Sequence, residues 1–157
     1  MNPAPQHYTL LKKYHFYAAH RNLAIGGKCA NLHGHTYYVE VSLRLMQASP
    51  QGVTVLFEDI DRRLEPIVKS LDHCLLLDRA DPQADLLRQV AGRCMEFDFP
   101  TSAENLARWL GEQIEAHWPN VLDYVQVQET TTSTVRYSPP AQPVAQAWPA
   151  AHACAID

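Results

Sequence analysis

The chain has 157 residues, of which 46% are hydrophobic and 19% are charged, and its formal net charge at pH 7 is −4. This composition is typical of one globular domain and excludes a disordered chain, while the acidic balance argues against nucleic acid as the main partner. We expect a cytoplasmic protein without membrane contact, because no apolar run approaches 18 residues and no charged-then-apolar leader opens the sequence. The four cysteines, Cys29, Cys74, Cys94 and Cys154, show no C-x-x-C or framework spacing, which favours free thiols.

The first predicted element is a strand over residues 8–20, which follows a proline-containing arm over residues 1–7. Even positions in this strand are mostly apolar, and the segment is rich in aromatic residues. These positions are Tyr8, Leu10, Tyr14, Phe16 and Ala18. His20 has the same parity, so its imidazole should face inward at the end of the strand.

A second strand is predicted to open at a histidine pair, after a loop over residues 21–31 that could fold the Cys29 thiol over a site. From His35 onward the odd positions are apolar and the even positions mostly polar, which indicates a half-buried strand. His33 and His35 are two residues apart, so both rings should project from one face within reach of one cation, with His20 as a third imidazole. The alternative is a glycine-kinked strand entry whose histidines only pack or face solvent.

A helix is predicted between residues 57 and 71 from the spacing of its apolar positions, with acidic residues early and Lys69 late. Pro66 lies inside this pattern and should kink the helix or displace its start. Asp72 and His73 follow at the helix exit. An acid beside a histidine is a possible acid/base element, and surface capping by His73 is the alternative.

Residues 79–99 suggest a short amphipathic helix followed by an apolar stretch, and a stronger helix should then begin near residue 101. Thr101 and Glu104 match the S/T-x-x-E capping box, which is the interpretation we favour for Glu104. Residues 121–129 alternate again and end on Glu129. A carboxylate that ends an inward apolar row is costly unless a partner pairs with it, so Glu129 is a ligand-contact candidate. A short strand over residues 134–137 and a Pro/Ala-rich tail over residues 138–157 complete the chain.

Taken together, these residues resemble the 6-pyruvoyl-tetrahydropterin synthase superfamily and, within it, the bacterial 6-carboxytetrahydropterin synthase branch. The resemblance covers residues 10–137. It rests on five motifs in order, Phe16-Tyr-Ala-Ala-His-Arg21, Cys29-Ala-Asn-Leu-His-Gly-His35, Leu71-Asp-His73, Pro100-Thr-Ser-Ala-Glu-Asn-Leu-Ala107 and Gln128-Glu-Thr130. The three-residue gap between Cys29 and His33 is similar to that of the carboxy branch.

The resemblance implies a role for each matched residue. His20, His33 and His35 would hold Zn²⁺, and Cys29 would be the thiol that abstracts a proton. Asp72 and His73 would relay a proton to the opposite face of the substrate. Glu129 would anchor the pterin ring, with Thr130 and Glu104 as further substrate contacts. By their positive charge, Arg21 and Lys28 are candidates for binding the triphosphate.

The implied fold is α+β, a tunnelling fold (T-fold) over residues 1–137. It has a four-stranded antiparallel sheet with two helices packed on one face, in the order ββααββ. Such units assemble as homo-oligomers, trimers or hexamers, with active sites between subunits. The chain departs from the family pattern at Leu56 and Phe99, in the length of residues 79–99, which could reshape substrate choice, and in the added tail.

The implied reaction converts 7,8-dihydroneopterin triphosphate to 6-carboxytetrahydropterin, acetaldehyde and triphosphate, on the route to queuosine. The alternative is triphosphate elimination to 6-pyruvoyltetrahydropterin without carbon–carbon cleavage, and a third possibility is a non-catalytic pterin-binding module. A zinc hydrolase fits less well, because the H-E-x-x-H helix motif is absent from the sequence.

Overall fold

The computed structural model describes residues 7–46 and 50–140. The arm over residues 1–6, most of the predicted tail and Cys154 lie outside these ranges. The elements in chain order are β1 (His7–His20), β2 (His33–Met46), α1 (Phe57–Lys69), β3 (Cys74–Asp78), α2 (Ala84–Ala91), β4 (Cys94–Phe97), α3 (Ala103–His117), β5 (Leu122–Thr130) and β6 (Ser133–Tyr137). None of the helices in the described ranges is long and apolar enough to cross a membrane.

The sheet has six strands in the order β4-β3-β1-β2-β5-β6, so the expected four-stranded ββααββ unit was an incomplete description. The four expected strands are present as an antiparallel run, β1-β2-β5-β6. The two additional strands, β3 and β4, join the β1 edge in parallel orientation. β3 is buried on both faces and therefore lacks the alternation that identifies a half-buried strand.

The main core lies between one face of this sheet and two helices, α1 and α3. The parity predicted for β1 and β2 is confirmed, because Phe16, Tyr37 and Leu43 are fully buried on this face. α1 continues past Pro66 to Lys69, so the proline neither begins nor ends the helix. The remaining helix, α2, packs against Leu75 and Leu77 in a separate cluster on the other face of β3.

The capping box predicted at residues 101–104 is wrong, because the N-cap of α3 lies one residue later than that pattern implies. Ser102 is the N-cap, and its hydroxyl accepts a hydrogen bond from the Asn105 amide at 3.4 Å. Thr101 precedes the cap and is fully buried. Glu104 lies exposed in the first helical turn, where a negative charge is favourable but no reciprocal cap is formed.

Candidate metal centre and active site

Three imidazoles converge at the end of the β1–β2 pair. His20 and His33 are direct cross-strand partners, and His35 projects from the same face two residues along β2. One ring nitrogen from each histidine lies within 4.8 Å of the other two. The three-histidine cluster that strand parity predicted is therefore present, with ligand atoms close enough to share one cation.

Backbone carbonyls fix the proton on two of these rings. His20 Nδ1 lies 2.7 Å from the Thr101 carbonyl oxygen, and His33 Nδ1 lies 2.8 Å from the Asn31 carbonyl oxygen. A carbonyl can only accept, so each Nδ1 must carry a hydrogen, and in the neutral form of the ring Nε2 then presents the lone pair. The His20 Nε2 atom is buried and has no hydrogen-bond partner among the described residues. A buried, unpartnered lone pair inside a histidine cluster fits a metal ligand.

The cluster is prepared to bind a cation at neutral pH. Burial lowers the pKa of His20 to about 4, against a smaller opposing effect of the Thr101 carbonyl, and His33 and His35 lower it further. Burial also lowers the pKa of His35, with His33 as the second cause. These two rings are therefore neutral at pH 7, which is the protonation state that metal binding requires.

Glu129 lies beside the histidines at the end of the inward row of β5. Its Oε1 atom is buried without a hydrogen-bond partner in the described structure and lies 3.9 Å from His20 Nε2. Burial is the largest cause of a raised pKa at Glu129, Tyr37 opposes the shift, and the charge of Glu104 adds to it. A carboxylate with one buried, unpartnered oxygen is suited to a ligand that brings N–H donors.

Tyr37 is a site residue that the sequence reasoning treated only as core. Its ring stacks on Phe16 with centroids 4.7 Å apart and meets the rings of His20 and His35 edge-on. Burial and the neighbouring charge of Glu129 raise the pKa of its hydroxyl, which keeps it protonated. The sequence signal was available, because Tyr37 follows His35 by two residues and so shares its face.

The predicted reactive thiol lies in the loop between β1 and β2. Cys29 and Lys28 are both exposed, in a 3-10 turn over Gly27–Ala30. The Asn22 amide donates to the Cys29 carbonyl at 2.7 Å and so closes the loop on itself. Among the described residues the metal-type cluster contains the three histidines without Cys29. The thiol is therefore outside the ligand set in this geometry.

Arg21, a predicted candidate for the triphosphate, is paired with a carboxylate of its own chain. Its guanidinium forms a bidentate ion pair with Asp81, with Nε 2.7 Å from Oδ2. The two side chains are only 13% and 6% exposed, and Arg21 lowers the pKa of Asp81. Because this cation is already paired with its own carboxylate, the exposed Lys28 is the less constrained of the two candidates for a triphosphate.

Asp72 and His73 form a pair in the turn between α1 and β3. His73 Nδ1 lies 2.9 Å from Asp72 Oδ2, and Asp72 Oδ1 accepts the Tyr17 amide at 2.9 Å. That amide is the largest cause of a lowered pKa at Asp72. His73 has a φ of 53°, a left-handed conformation that is uncommon outside glycine and often marks functional positions.

This pair does not lie beside the histidine cluster of its own chain. The His73 ring packs against Tyr17 at 5.4 Å, and Tyr17 projects from the face of β1 opposite to His20. The side chains expected to act together are thus on two faces of one sheet. Thr130 is exposed at the end of β5, where its carbonyl accepts a hydrogen bond from the Gln128 side-chain amide.

Comparison with known proteins gives consistent matches over most of the chain. The family model described as 6-pyruvoyl tetrahydropterin synthase matches residues 9–140. A Haemophilus influenzae protein named 6-carboxy-5,6,7,8-tetrahydropterin synthase is 28% identical over 138 residues, covering 83% of this chain and 98% of that protein. A Synechocystis protein of the same name is 31% identical over 138 residues, covering 85% and 95%. The crystal structure of an uncharacterized Wolinella succinogenes protein has a TM-score of 0.71 at 20% identity, covering 85% and 98%.

Proposed function

Because the chain belongs to the 6-pyruvoyl tetrahydropterin synthase family, we propose that it is a zinc-dependent lyase acting on 7,8-dihydroneopterin triphosphate. With one water consumed, the products would be 6-carboxy-5,6,7,8-tetrahydropterin, which the names of the two bacterial relatives suggest, together with acetaldehyde and triphosphate. The observation that carries the proposal is the pair of unpartnered buried atoms, His20 Nε2 and Glu129 Oε1, 3.9 Å apart. One is suited to a metal and the other to the donor groups of a heterocycle.

The three imidazoles of His20, His33 and His35 would hold the ion. Three protein ligands leave a fourth position open, which is the arrangement of a catalytic rather than a structural zinc site. When bound there, zinc supplies a Lewis acid that polarises the substrate side-chain oxygens and makes the adjacent carbon-bound hydrogens more acidic. The carbonyls of Thr101 and Asn31 keep two of the rings in the ligating tautomer.

Cys29 would act as the base that removes the first proton from the substrate side chain. Its thiol is exposed in a loop next to the end of β1, where a substrate held by the histidine cluster could reach it. Lys28 would be the nearest basic group for the substrate triphosphate.

Glu129 would hold the pterin ring by accepting hydrogen bonds from its amino and N3 groups. Its buried carboxylate has an unsatisfied oxygen that such donors would satisfy. Tyr37 lies beside this carboxylate and limits the orientations that it can adopt. Glu104 and Thr130, both exposed nearby, would contact the outer edge of the substrate.

We also propose a homo-oligomer, in which a neighbouring copy supplies Asp72 and His73 to each site. Within the described ranges, β3 pairs with β1 only at Ala18 and Ala19, so most of that β1 edge has no strand partner. β6 forms the opposite edge of the sheet. Open edges favour pairing with another chain, and the resemblance implies trimers or hexamers. We assign the protein to the cytoplasm, which is consistent with its free thiols.

The alternative is the sister reaction, elimination of triphosphate to 6-pyruvoyltetrahydropterin, which the description of the matching family itself favours. Product analysis separates the two. Zinc-loaded protein is incubated with 7,8-dihydroneopterin triphosphate, and pterins and aldehydes are identified by mass spectrometry. We expect acetaldehyde and 6-carboxytetrahydropterin to form in equal amounts. A pyruvoyl product without acetaldehyde would establish the alternative, and binding without turnover would indicate a non-catalytic pterin-binding module.

A further inference from the structure

The Arg21–Asp81 ion pair joins two segments that are far apart in the sequence. Arg21 directly follows His20 at the end of β1, and Asp81 lies in the turn between β3 and α2. The two loops also border one small cavity of about 190 Å³, which Asn22, Pro82 and Pro100 help to line. The turn of the long segment over residues 79–99 is thus packed against the base of the loop that carries Cys29.

Asp81 is held rigidly on its own side of this contact. Its Oδ1 atom accepts the Gln83 amide at 2.8 Å, its carbonyl accepts the Ala84 amide, and its own amide donates to the Asp78 carbonyl. The carboxylate therefore has a fixed position relative to β3. A bidentate carboxylate also fixes the plane of a guanidinium, which a single contact would not.

The restraint on Arg21 passes to the Cys29 loop through one residue. Asn22 follows Arg21, is 7% exposed, and donates its amide to the Cys29 carbonyl at 2.7 Å. This hydrogen bond joins the start of the loop, next to His20, to the residue that carries the thiol. The remaining loop residues, including the glycines at 26 and 27, have no comparable buried anchor in the described contacts.

We propose that the Arg21–Asp81 pair positions the Cys29 thiol relative to the histidine cluster, so that Asp81 is a positioning residue for the reaction. This inference rests on the proposed function and adds a role for the segment over residues 79–99. Misplacing a reacting group by about 1 Å can cost on the order of 100-fold in rate, so a buried ion pair at the loop base can control turnover without touching substrate.

The test compares Asp81→Asn with Glu96→Gln, a matched control in the same segment. Glu96 pairs with Arg79 and Arg88, and neither of these ion pairs involves the Cys29 loop. Five quantities are measured for each variant: zinc content, kcat, KM, the rate of iodoacetamide alkylation at Cys29, and the rate of hydrogen exchange at the Asn22 amide. The last two need no substrate, so they remain informative if the pterin reaction itself is not found.

For Asp81→Asn we expect kcat to fall roughly 10–100-fold with KM within about twofold, and the Asn22 amide to exchange about tenfold faster. Zinc content should match the parent protein, and Glu96→Gln should leave kcat and Asn22 exchange unchanged. Equal losses in both variants, or a loss of kcat that follows zinc content, would overturn the proposal. If Asp81→Asn does not fold, Asp81→Glu decides: its extra methylene should change the same two rates in the same direction, and unchanged rates would refute the role.

Discussion

Replacing Glu129 by Gln should make the metal-free protein more stable while it weakens pterin binding. Burial raises the pKa of Glu129, so the charged form is disfavoured in the folded state. Relative to the unfolded chain, the protonated Glu129 stabilises the folded state. This stabilisation is lost as pH rises from about 4.5 through the folded pKa. An amide carries no charge to desolvate and should avoid most of this cost at pH 7.

The expected gain in stability of Glu129→Gln can be estimated from the burial of one unpartnered oxygen, Glu129 Oε1. Burying a polar group without a hydrogen bond costs about 1–3 kcal/mol in proteins, and the amide retains part of that cost. We expect Glu129→Gln to raise the free energy of unfolding by about 1 kcal/mol, or the melting temperature by about 2–4 °C. Binding should change in the opposite direction, because two charge-assisted hydrogen bonds are weakened, by about 1.5–3 kcal/mol or roughly 10–150-fold in Kd.

Both changes are measured on one preparation. Thermal unfolding is recorded without metal, and calorimetry with a dihydropterin is recorded on the zinc-loaded protein. Glu104→Gln is the control, since it removes an exposed charge nearby and should change stability by less than about 0.5 kcal/mol. A destabilised Glu129→Gln protein, or one that binds the pterin as tightly as the parent, would refute the assignment of this carboxylate.

Three further predictions concern the thiol, the packing of α3 and the pH dependence of stability. Cys29→Ala should retain zinc and pterin affinity while turnover, followed by a product assay, falls roughly 10²–10⁴-fold. Gly111→Ala should cost about 1–3 kcal/mol in denaturant unfolding, because its Cβ would lie 2.6 Å from the Tyr137 ring. A hydrogen bond from Lys12 lowers the pKa of Asp61 in the folded protein. Asp61 therefore stabilises the fold above about pH 3.8, and this contribution is lost as pH falls through its folded pKa. In Asp61→Asn, the free energy of unfolding should fall less steeply than in the parent when the pH is lowered.

Strand parity was sufficient to predict the histidine cluster from the sequence. β1 and β2 alternate between a buried and an open face, so the positions of His20 and His35 on the buried face followed from counting. Glu129 was found in the same way, as the end of an apolar row in β5. Features that depend on a regular period and on neighbouring strands were thus accessible without coordinates.

The other site features depend on partners that no local pattern shows. Arg21 was expected to face the substrate, because its pairing with Asp81, 60 positions away, leaves no trace in the residues around it. The Thr101 side chain was taken for a helix cap, whereas the functional group is its carbonyl, which every residue possesses. β3 was missed because a strand buried on both faces has no alternation to detect.

The central claim is an open zinc site formed by three imidazoles, with the Cys29 thiol outside the ligand set. X-ray absorption at the zinc edge tests it on the protein as purified, because nitrogen and sulfur ligands differ in distance. We predict one zinc per chain with nitrogen ligands at about 2.0–2.1 Å, an additional oxygen ligand, and no sulfur. A zinc–sulfur distance near 2.3 Å that disappears in Cys29→Ala, or a chain that binds no zinc, would contradict the account.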